Sequence, residues 1–292
     1  MPPSAFLSIE FQADFHCILL ADVIEYTLRT YYRWGACDVA AYGEFARLYD
    51  SLMGDFDYPA WAGHYLELLA LAGVRPASLA DCACGTGAMT IEFARAGVSR
   101  LTGVDISEEM LSVAQEKARR AGLKIPFVKQ DMARLTLPRR VDAIVAGCDG
   151  VNYLTKRVQL DAFFERAHAQ LKDGGALAFD VSTEHKLSAV LGDGFFGEER
   201  ADVAYLWWNR WDDEARTVTM ELTFFVREED GRYRRFEERH VQRAWTADEL
   251  RAALERAGFS DIRFYGEYRL DPPKHDDARM HVTAVRAFGG NR

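Results

Sequence analysis

The sequence has few cysteines, and their number and spacing disfavour two kinds of site. Five cysteines occur in 292 residues. An odd number in a chain of this length argues against a disulfide framework and favours a reducing, cytoplasmic environment. Cys82 and Cys84 are two positions apart on a predicted strand end, so their side chains point in opposite directions, and no second Cys/His pair at zinc spacing follows. We therefore expect neither a structural disulfide nor a metal site.

Long apolar runs and an excess of basic residues are also absent. The start has no basic segment of the signal-peptide type, and no stretch approaches about 18 uninterrupted apolar residues. The 36 Lys and Arg residues against 45 Asp and Glu give a net charge of −9. An acidic chain lacks the broad positive surface of a dedicated nucleic-acid-binding protein. These absences disfavour membrane and nucleic-acid partners.

The middle of the chain alternates apolar strand-like and helix-like segments, which is typical of a parallel sheet with crossover helices. The predicted helices are Ala88 to Ala96, Glu108 to Ala121 and Lys156 to Leu171. The predicted strands are Ser78 to Cys82, Arg100 to Asp105, Ile125 to Lys129, Val141 to Ala146 and Ala176 to Ser182. Residues 76–184 therefore form the predicted α/β core.

The segments on either side of this core have other patterns. Residues 1–40, with an apolar segment from Phe15 to Trp34, form an N-terminal extension without an assigned role, and residues 41–75 predict two helices, Tyr42 to Met53 and Tyr58 to Leu71. Residues 185–245 predict an antiparallel insertion of three strands, Ala204 to Trp211, Thr217 to Arg227 and Arg232 to Trp245. Residues 246–292 predict a capped helix, Ala247 to Ala257, and two last strands, Ile262 to Tyr268 and His281 to Phe288.

A turn of small residues follows the first core strand and carries the strongest chemical signal. Cys82 leads into Ala83-Cys84-Gly85-Thr86-Gly87, where large side chains are absent and a ligand can lie against the backbone. Eighteen residues past Gly87, Asp105 ends the second strand. A glycine-rich turn followed by a strand-end acid at this spacing is the pattern that holds a nucleoside, with the carboxylate on the ribose hydroxyls.

Two other nucleotide-binding patterns fit poorly. Dinucleotide enzymes need a third glycine three residues after the second, where this chain has Thr90, and a phosphate-binding P-loop needs a Gly-Lys-Ser/Thr ending. The turn instead resembles the first motif of the class I S-adenosylmethionine-dependent methyltransferases, with Asp81 as its acid and Ala83 where glycine is usual. Four later segments resemble further motifs of that family, in the family's order: Asp105 to Leu111, Gln130 to Met132, Val141 to Val145 and Leu171 to Gly175.

The resemblance implies a fold and a cofactor. The fold is a Rossmann-like seven-stranded, mostly parallel sheet with helices on both faces, whose last strand is antiparallel; here an antiparallel β-meander is inserted, as a substrate cap. The cofactor is S-adenosyl-L-methionine, with Asp105 on the ribose and Asp131 on adenine. Residues 41–75 resemble the helical lid of small-molecule members, whose aromatic covers the methionine end. The implied cofactor contacts are Tyr49, Asp81, Ala83, Cys84, Gly85, Thr86, Gly87, Asp105, Ile106, Met110, Asp131, Met132 and Cys148.

Each of these residues also has a structural interpretation. Asp105 is equally a solvated strand-end acid, Asp131 a helix N-cap, and Asp81 a residue that holds the turn. Tyr49 and other aromatic residues at helical spacing are often core residues. Candidate substrate contacts follow from position at the carboxyl ends of the strands or in the lid: Tyr58, Trp61, Asp149, Asn152 and Tyr153. Tyr153 and His240 are the candidate catalytic residues.

The expected function is methyl transfer from S-adenosylmethionine to nitrogen or oxygen of a small molecule. The methyl group sits on a sulfonium that needs no further activation, so alignment of the acceptor and exclusion of water are the main tasks. RNA methylation, a non-catalytic cofactor-binding protein of the same fold, and a nicotinamide-dependent dehydrogenase are the alternatives.

Overall fold

A computed structural model describes residues 44–54 and 56–288. The N-terminal extension predicted for residues 1–40, with its apolar segment from Phe15 to Trp34, lies outside the described residues. Within the described part of the chain, no helix has both the length and the apolar character needed to cross a membrane.

A seven-stranded sheet forms the centre of the fold, in the order β10-β11-β5-β4-β1-β2-β3. Every residue of β1 is buried, as expected for a parallel strand with helices on both faces. Strand β11 runs antiparallel to both of its neighbours, β5 and β10, which confirms the predicted reversed last strand. The strands of this sheet are β1 (Ser78–Cys82), β2 (Arg100–Asp105), β3 (Phe127–Lys129), β4 (Val141–Ala146), β5 (Leu171–Ser182), β10 (Phe259–Tyr265) and β11 (Arg279–Arg286).

Within the described residues, six α-helices flank and precede the strands. The Ser107 hydroxyl accepts the N–H of Met110 at 3.1 Å and so caps the helix after β2, while Thr246 and Glu249 form the predicted capping box of the last helix. The helices are α1 (Ala46–Leu52), α2 (Tyr58–Leu71), α3 (Ala88–Arg95), α4 (Glu108–Arg120), α5 (Arg157–Gln170) and α6 (Ala247–Arg256).

The connections place a crevice at one edge of this sheet. The chain leaves β1 for β2 on one side, whereas β4 pairs with β1 on the other. In an open α/β sheet, ligands bind outside the carboxyl ends of the strands at such a reversal of strand order. The glycine-rich turn follows β1, and the loop that begins at Gly147 follows β4, so both lie at this point.

The inserted sheet has four strands, so the prediction of three was wrong by one strand. They are β6 (Phe195–Glu199), β7 (Val203–Asp212), β8 (Thr217–Arg227) and β9 (Tyr233–Arg243), all antiparallel. All five residues of β6 are exposed, so this edge strand has no buried positions to produce an alternating pattern. A π-helical segment before it, His185–Leu191, was also not predicted.

One face of the inserted sheet packs against α1. Alternate residues of β8 point to the same face of a strand, and Val218, Met220, Leu222 and Phe224 are buried there. Phe45, Leu48 and Leu52 pack on this cluster, and the rings of Phe45 and Phe224 are stacked with centroids 4.8 Å apart. The predicted first helix thus begins at Ala46, and its apolar side faces the inserted sheet.

Candidate active site

A crevice of about 1200 Å³, counted with its open mouth, lies at the carboxyl edge of the central sheet. The cavity volume within it is about 240 Å³. Thirteen of the predicted site residues line it: Tyr49, Tyr58, Ala83, Cys84, Gly85, Thr86, Asp105, Ile106, Met110, Asp131, Met132, Cys148 and Tyr153.

The turn after β1 depends on left-handed backbone conformations. Ala83, Gly85 and Gly87 have φ angles of 54°, 53° and 70°. A Cβ at Gly87 would lie 2.9 Å from the Cβ of Ala114, whereas a Cβ at Gly85 would meet nothing within 4 Å. Gly87 is therefore needed for close packing, and Gly85 faces open space in the crevice. Ala83 adopts the unusual conformation without being glycine, which costs about 1–2 kcal/mol.

Asp105 connects the end of β2 to the glycine-rich turn. Its carboxylate accepts the N–H of Gly85 at 2.8 Å and the N–H of Ser107 at 2.9 Å. Burial raises the pKa of Asp105, and these backbone hydrogen bonds oppose the increase. The carboxylate is thus fixed in place with one edge in the crevice, where it can accept further hydrogen bonds.

Asp131 has the structural role that the sequence left open, and it also lines the crevice. Its Oδ1 accepts the N–H of Ala133 at 2.9 Å and caps the 3₁₀ turn Met132–Arg134. Because only one of its two oxygens makes this bond, capping the turn and contacting a ligand are compatible. Gln130 and Met132 line the crevice on either side of it.

Asp81 lies behind the turn rather than in the crevice wall. It is fully buried, and its Oδ2 accepts a hydrogen bond from the Thr90 hydroxyl at 2.5 Å. Burial raises the pKa of Asp81 to about 7. Its Oδ1 has no hydrogen-bond partner among the described residues. An unpartnered buried carboxylate oxygen this close to a binding crevice favours a cationic group there. Gly87, the other predicted cofactor contact outside the lining, begins α3 instead.

Helix α1 and the start of α2 close the crevice from above. Tyr49 and Tyr58 line it, and the buried hydroxyl of Tyr58 has no partner among the described residues. Asp50 ties α1 down, because its carboxylate accepts the Thr86 hydroxyl at 2.7 Å and pairs with Lys117 Nζ at 2.7 Å. The structure does not bring Trp61 to the crevice; its buried ring packs instead against Phe56, Tyr65, Tyr268 and His281.

The loop after β4 sends its predicted residues to different places. Cys148 lines the crevice. Asp149 does not: it accepts the Ser182 hydroxyl at 2.7 Å and pairs with Arg279. Burial alone would raise the pKa of Asp149, but Arg279 and Lys186 hold it well below its usual value. Asn152 is fully buried, and its amide bonds three backbone groups, the N–H and carbonyl of Ser182 and the carbonyl of Arg243. The predicted substrate contacts at these two positions are thus structural residues of the loop.

Tyr153 and His240 come together as a pair. The Tyr153 hydroxyl lies 3.2 Å from Nδ1 of His240, which extends from β9 of the inserted sheet. Burial lowers the pKa of His240 to about 4, so the imidazole is neutral at neutral pH. In the tautomer with hydrogen on Nε2, the ring accepts a hydrogen bond from Tyr153 and fixes the direction of its hydroxyl. Tyr153 lines the crevice, whereas His240 stands behind it.

Seven lining residues were not predicted individually. Gln130 begins the motif Gln130 to Met132, and Gly147 and Gly150 are neighbours of the predicted residues Cys148 and Asp149, so proximity to a predicted residue was their available signal. The others belong to helices or to the loop before α5 and carry no motif. The seven are Ala88, Met89, Gln130, Gly147, Gly150, Leu154 and Gln159.

Comparison with known proteins identifies the family to which this chain belongs. A family model described as a methyltransferase domain matches residues 79–175. A putative methyltransferase of Geobacillus sp. strain WCH70 is 33% identical over 246 residues, which are 84% of this chain and 99% of the relative. The crystal structure of an S-adenosylmethionine-dependent methyltransferase from Clostridium acetobutylicum ATCC 824 superposes with a TM-score of 0.76 at 31% identity, covering 85% of this chain and 99% of that one. The chain belongs to the class I S-adenosylmethionine-dependent methyltransferases.

The crevice of this methyltransferase fits its cofactor. S-adenosylmethionine carries a ribose with two hydroxyls, an ammonium group and a sulfonium. The fixed carboxylate of Asp105 suits hydroxyl donors, the open space at Gly85 leaves room against the backbone, and the unpartnered oxygen of Asp81 suits a nearby cation. The residues present therefore agree with the family assignment.

Proposed function

We propose that this methyltransferase transfers the methyl group of S-adenosylmethionine to a nitrogen or oxygen atom of an uncharged group on a small molecule. The observation that carries the proposal is the charge distribution in the crevice. Its charged lining residues are Asp105 and Asp131, both beyond β2 and β3, and none of the described lining residues is Lys or Arg. Phosphate groups usually need such basic partners, so the crevice disfavours a phosphorylated acceptor group.

The proposed cofactor position follows from the same distribution. Asp105 binds the ribose hydroxyls and Asp131 accepts a hydrogen bond from the adenine amino group, with Met110 and Ile106 beside the nucleoside. Tyr49 and Cys148 then lie toward the methionine end, over β1 and β4. When bound, the cofactor supplies a methyl group that is activated by the positive sulfur.

The residues beyond the sulfur are three tyrosines on separate elements, Tyr49, Tyr58 and Tyr153. They offer hydroxyl groups and aromatic faces but no charge at neutral pH, because burial raises the pKa of Tyr49 and Tyr58 well above the usual value. A neutral amine or hydroxyl can lie among them without desolvating a charge. Tyr153, held by His240, is the proposed contact that orients the acceptor and takes up its proton, while the Tyr153 hydroxyl proton passes to Nδ1 of His240.

Relatives with named acceptors support methyl transfer to either nitrogen or oxygen. A dTDP-4-amino-2,3,4,6-tetradeoxy-D-glucose N,N-dimethyltransferase from Saccharopolyspora spinosa is 27% identical over 74% of this chain and 85% of its own length. A malonyl-[acyl-carrier protein] O-methyltransferase from Geobacter sulfurreducens is 29% identical over 81% of this chain and 77% of its own. The first of these names an amino sugar as acceptor, which agrees with an uncharged reacting group, whereas the second supports methylation at oxygen only.

The proposed function is tested by product analysis. The purified protein is incubated with methyl-labelled S-adenosylmethionine and pools of acceptors without negative charge: amino sugars, alkyl amines, phenols and alcohols. Bulk tRNA is assayed in parallel at low and high salt. Label in a small molecule, lost in Tyr153→Phe, supports the proposal. Label in tRNA that disappears at high salt would replace it with RNA methylation, since phosphate contacts are strongly salt-dependent. Cofactor binding without any labelled product would favour a non-catalytic role.

A further inference from the structure

Asp180, near the carboxyl end of β5, is a fully buried carboxylate that lies outside the crevice lining. Its Oδ1 accepts the N–H of Cys148 at 2.7 Å, and its Oδ2 accepts the N–H of Asp149 at 3.1 Å. The Tyr65 hydroxyl donates to Oδ1, and Arg279 pairs with Oδ2. Four donors from three parts of the chain thus converge on one side chain.

The backbone that Asp180 binds has an unusual shape. Cys148 and Asp149 have φ angles of 54° and 65°, so two successive residues other than glycine are left-handed. This conformation is disfavoured for L-amino acids and persists only where surrounding contacts enforce it. It turns two neighbouring N–H groups to the same side, which makes an anion-binding concavity of the kind called a nest. Asp180 is the anion that fills it.

Glycines on both sides bring this loop close to the rest of the site. A Cβ at Gly147 would lie 2.4 Å from Cε of Met89, and a Cβ at Gly150 would lie 2.8 Å from Cβ of Ala83 in the glycine-rich turn. Gly147, Cys148 and Gly150 all line the crevice. A change in the loop therefore alters the crevice wall over β1 and β4.

We propose that Asp180 is a positioning residue, whose carboxylate holds Cys148 and Asp149 in the left-handed shape that lets residues 147–150 form the wall at the methionine end of the cofactor. The inference rests on the cofactor orientation given under the proposed function, with the nucleoside over β2 and β3. Asp180 acts through the loop backbone rather than by touching the cofactor. Arg279 balances the charge of Asp149 and Asp180 and belongs to the same network.

The test uses Asp180→Asn in the full chain and needs no acceptor. Asparagine has one amide oxygen for two backbone N–H groups, and its own NH₂ group opposes them. Arg279 keeps Asp149 as a partner, so the variant leaves no unpaired buried charge. Asp142→Asn is the matched control: this carboxylate lies on β4, at the end of the sheet opposite to the loop, where it accepts the N–H of Ser78 at 2.8 Å and pairs with Lys172 at 2.6 Å.

Two measurements are made on each variant. In hydrogen exchange, the amides of Cys148 and Asp149 are expected to exchange about tenfold faster in Asp180→Asn, as expected for loss of one hydrogen bond to a charged group. In calorimetric titration, affinity for S-adenosylhomocysteine is expected to fall about tenfold. Affinity for methylthioadenosine, which lacks the amino-acid part, should stay within about twofold. Asp142→Asn should change none of these values.

Unchanged exchange at Cys148 and Asp149, or an equal loss of affinity for both ligands, would overturn the proposal. If Asp180→Asn fails to fold, Tyr65→Phe removes one donor and leaves the carboxylate in place. It should produce the same pattern at smaller size, with a greater loss for S-adenosylhomocysteine than for methylthioadenosine. Equal losses of affinity for the two ligands in Tyr65→Phe would contradict the positioning role of Asp180. Because neither measurement involves an acceptor, failure of this proposal is distinguishable from failure of the proposed acceptor chemistry.

Discussion

The Tyr153 hydroxyl and Nδ1 of His240 lie 3.2 Å apart although 87 positions separate them in the sequence. Tyr153 follows β4 of the central sheet, and His240 belongs to β9 of the inserted sheet. Asn152 strengthens this junction, because its side-chain amide donates to the carbonyl of Arg243 at 2.9 Å. The inserted sheet thus contributes to the crevice indirectly: His240 contacts Tyr153, and Tyr153 lines the crevice.

Replacement of either member of this pair should impair methyl transfer more than cofactor binding. Tyr153→Phe and His240→Gln are each expected to lower kcat about 100-fold, the lower end for a positioned acid–base group, because the sulfonium already activates the methyl. Titration with S-adenosylhomocysteine should give affinities close to wild type. Tyr205→Phe is the matched control, since that hydroxyl donates to Glu198 at 3.0 Å on the inserted sheet. Full activity in Tyr153→Phe would remove Tyr153 from the mechanism.

Two buried histidines should make the protein sensitive to mild acid. Burial lowers the pKa of His240 and of His281 from 6.5 to about 4. A histidine whose pKa is lower in the folded state contributes its full stabilisation at pH values above the pKa of the unfolded state. That stability is lost as pH falls from about 6.5 toward 4, by roughly 3 kcal/mol at most for each residue. Asp81 acts in the opposite direction, because burial raises its pKa to about 7.

The difference between variants isolates the histidine contribution. Thermal unfolding is followed from pH 7.5 to pH 5 for wild type, His240→Gln and His281→Gln. The gap in Tm between wild type and each variant should shift in favour of the variant as pH falls. His275→Gln, at an exposed position, is the control and should keep a constant gap. A Tm difference that does not change with pH for His240→Gln and His281→Gln would contradict the lowering of the two histidine pKa values by burial.

The contact of Asp50 with Thr86 and Lys117 should control how long the cofactor stays bound. Asp50→Ala removes both interactions and frees α1 above the glycine-rich turn. Because the ion pair is partly exposed, the free energy of unfolding should change by less than about 1 kcal/mol. Dissociation of S-adenosylhomocysteine, measured by stopped flow, should accelerate about fivefold, which corresponds to that energy. Glu116→Gln, which removes an exposed pair with Arg120 on α4, should leave the rate unchanged.

Two glycines should respond in opposite ways to a single added methyl group. Gly87→Ala places a Cβ 2.9 Å from that of Ala114 at a φ of 70° and should cost about 2 kcal/mol of unfolding free energy. Gly63 lies inside α2, where a Cβ meets nothing within 4 Å. Gly63→Ala should therefore stabilise the protein by about 0.5–1 kcal/mol. Urea unfolding measures both, and equal effects of the two changes would contradict the close packing at Gly87.

Local sequence patterns were sufficient for the central fold. Strands β1, β2 and β4 begin and end where their apolar runs predicted, because each run is bounded by turn residues and buried on both sides. Boundaries were less accurate where pairing rather than apolarity defines the strand: β5 begins at Leu171 instead of Ala176, and β10 at Phe259 instead of Ile262. Strand β6 has no buried residue and therefore no sequence signal.

Positions in the crevice could be predicted where a short motif fixes them. They could not be predicted where residues far apart in the sequence come into contact. Asp105 and Asp131 are placed by the strands that precede them, so spacing was sufficient. Asp149 and Asn152 looked available for substrate because their partners, Ser182 and Arg279, lie far away in sequence. Asp180 gave no signal for the same reason: its ligands are backbone N–H groups of another loop. Tertiary contacts of this kind become visible only once the chain is folded.

A crystal structure with S-adenosylhomocysteine would show directly where the cofactor binds. The account predicts that the ribose hydroxyls lie within hydrogen-bond distance of the Asp105 carboxylate, the adenine amino group faces Asp131, and the sulfur lies near Cys148 and Tyr153. A nucleoside bound away from Asp105, or a reversed orientation with adenine beside Cys148, would contradict it.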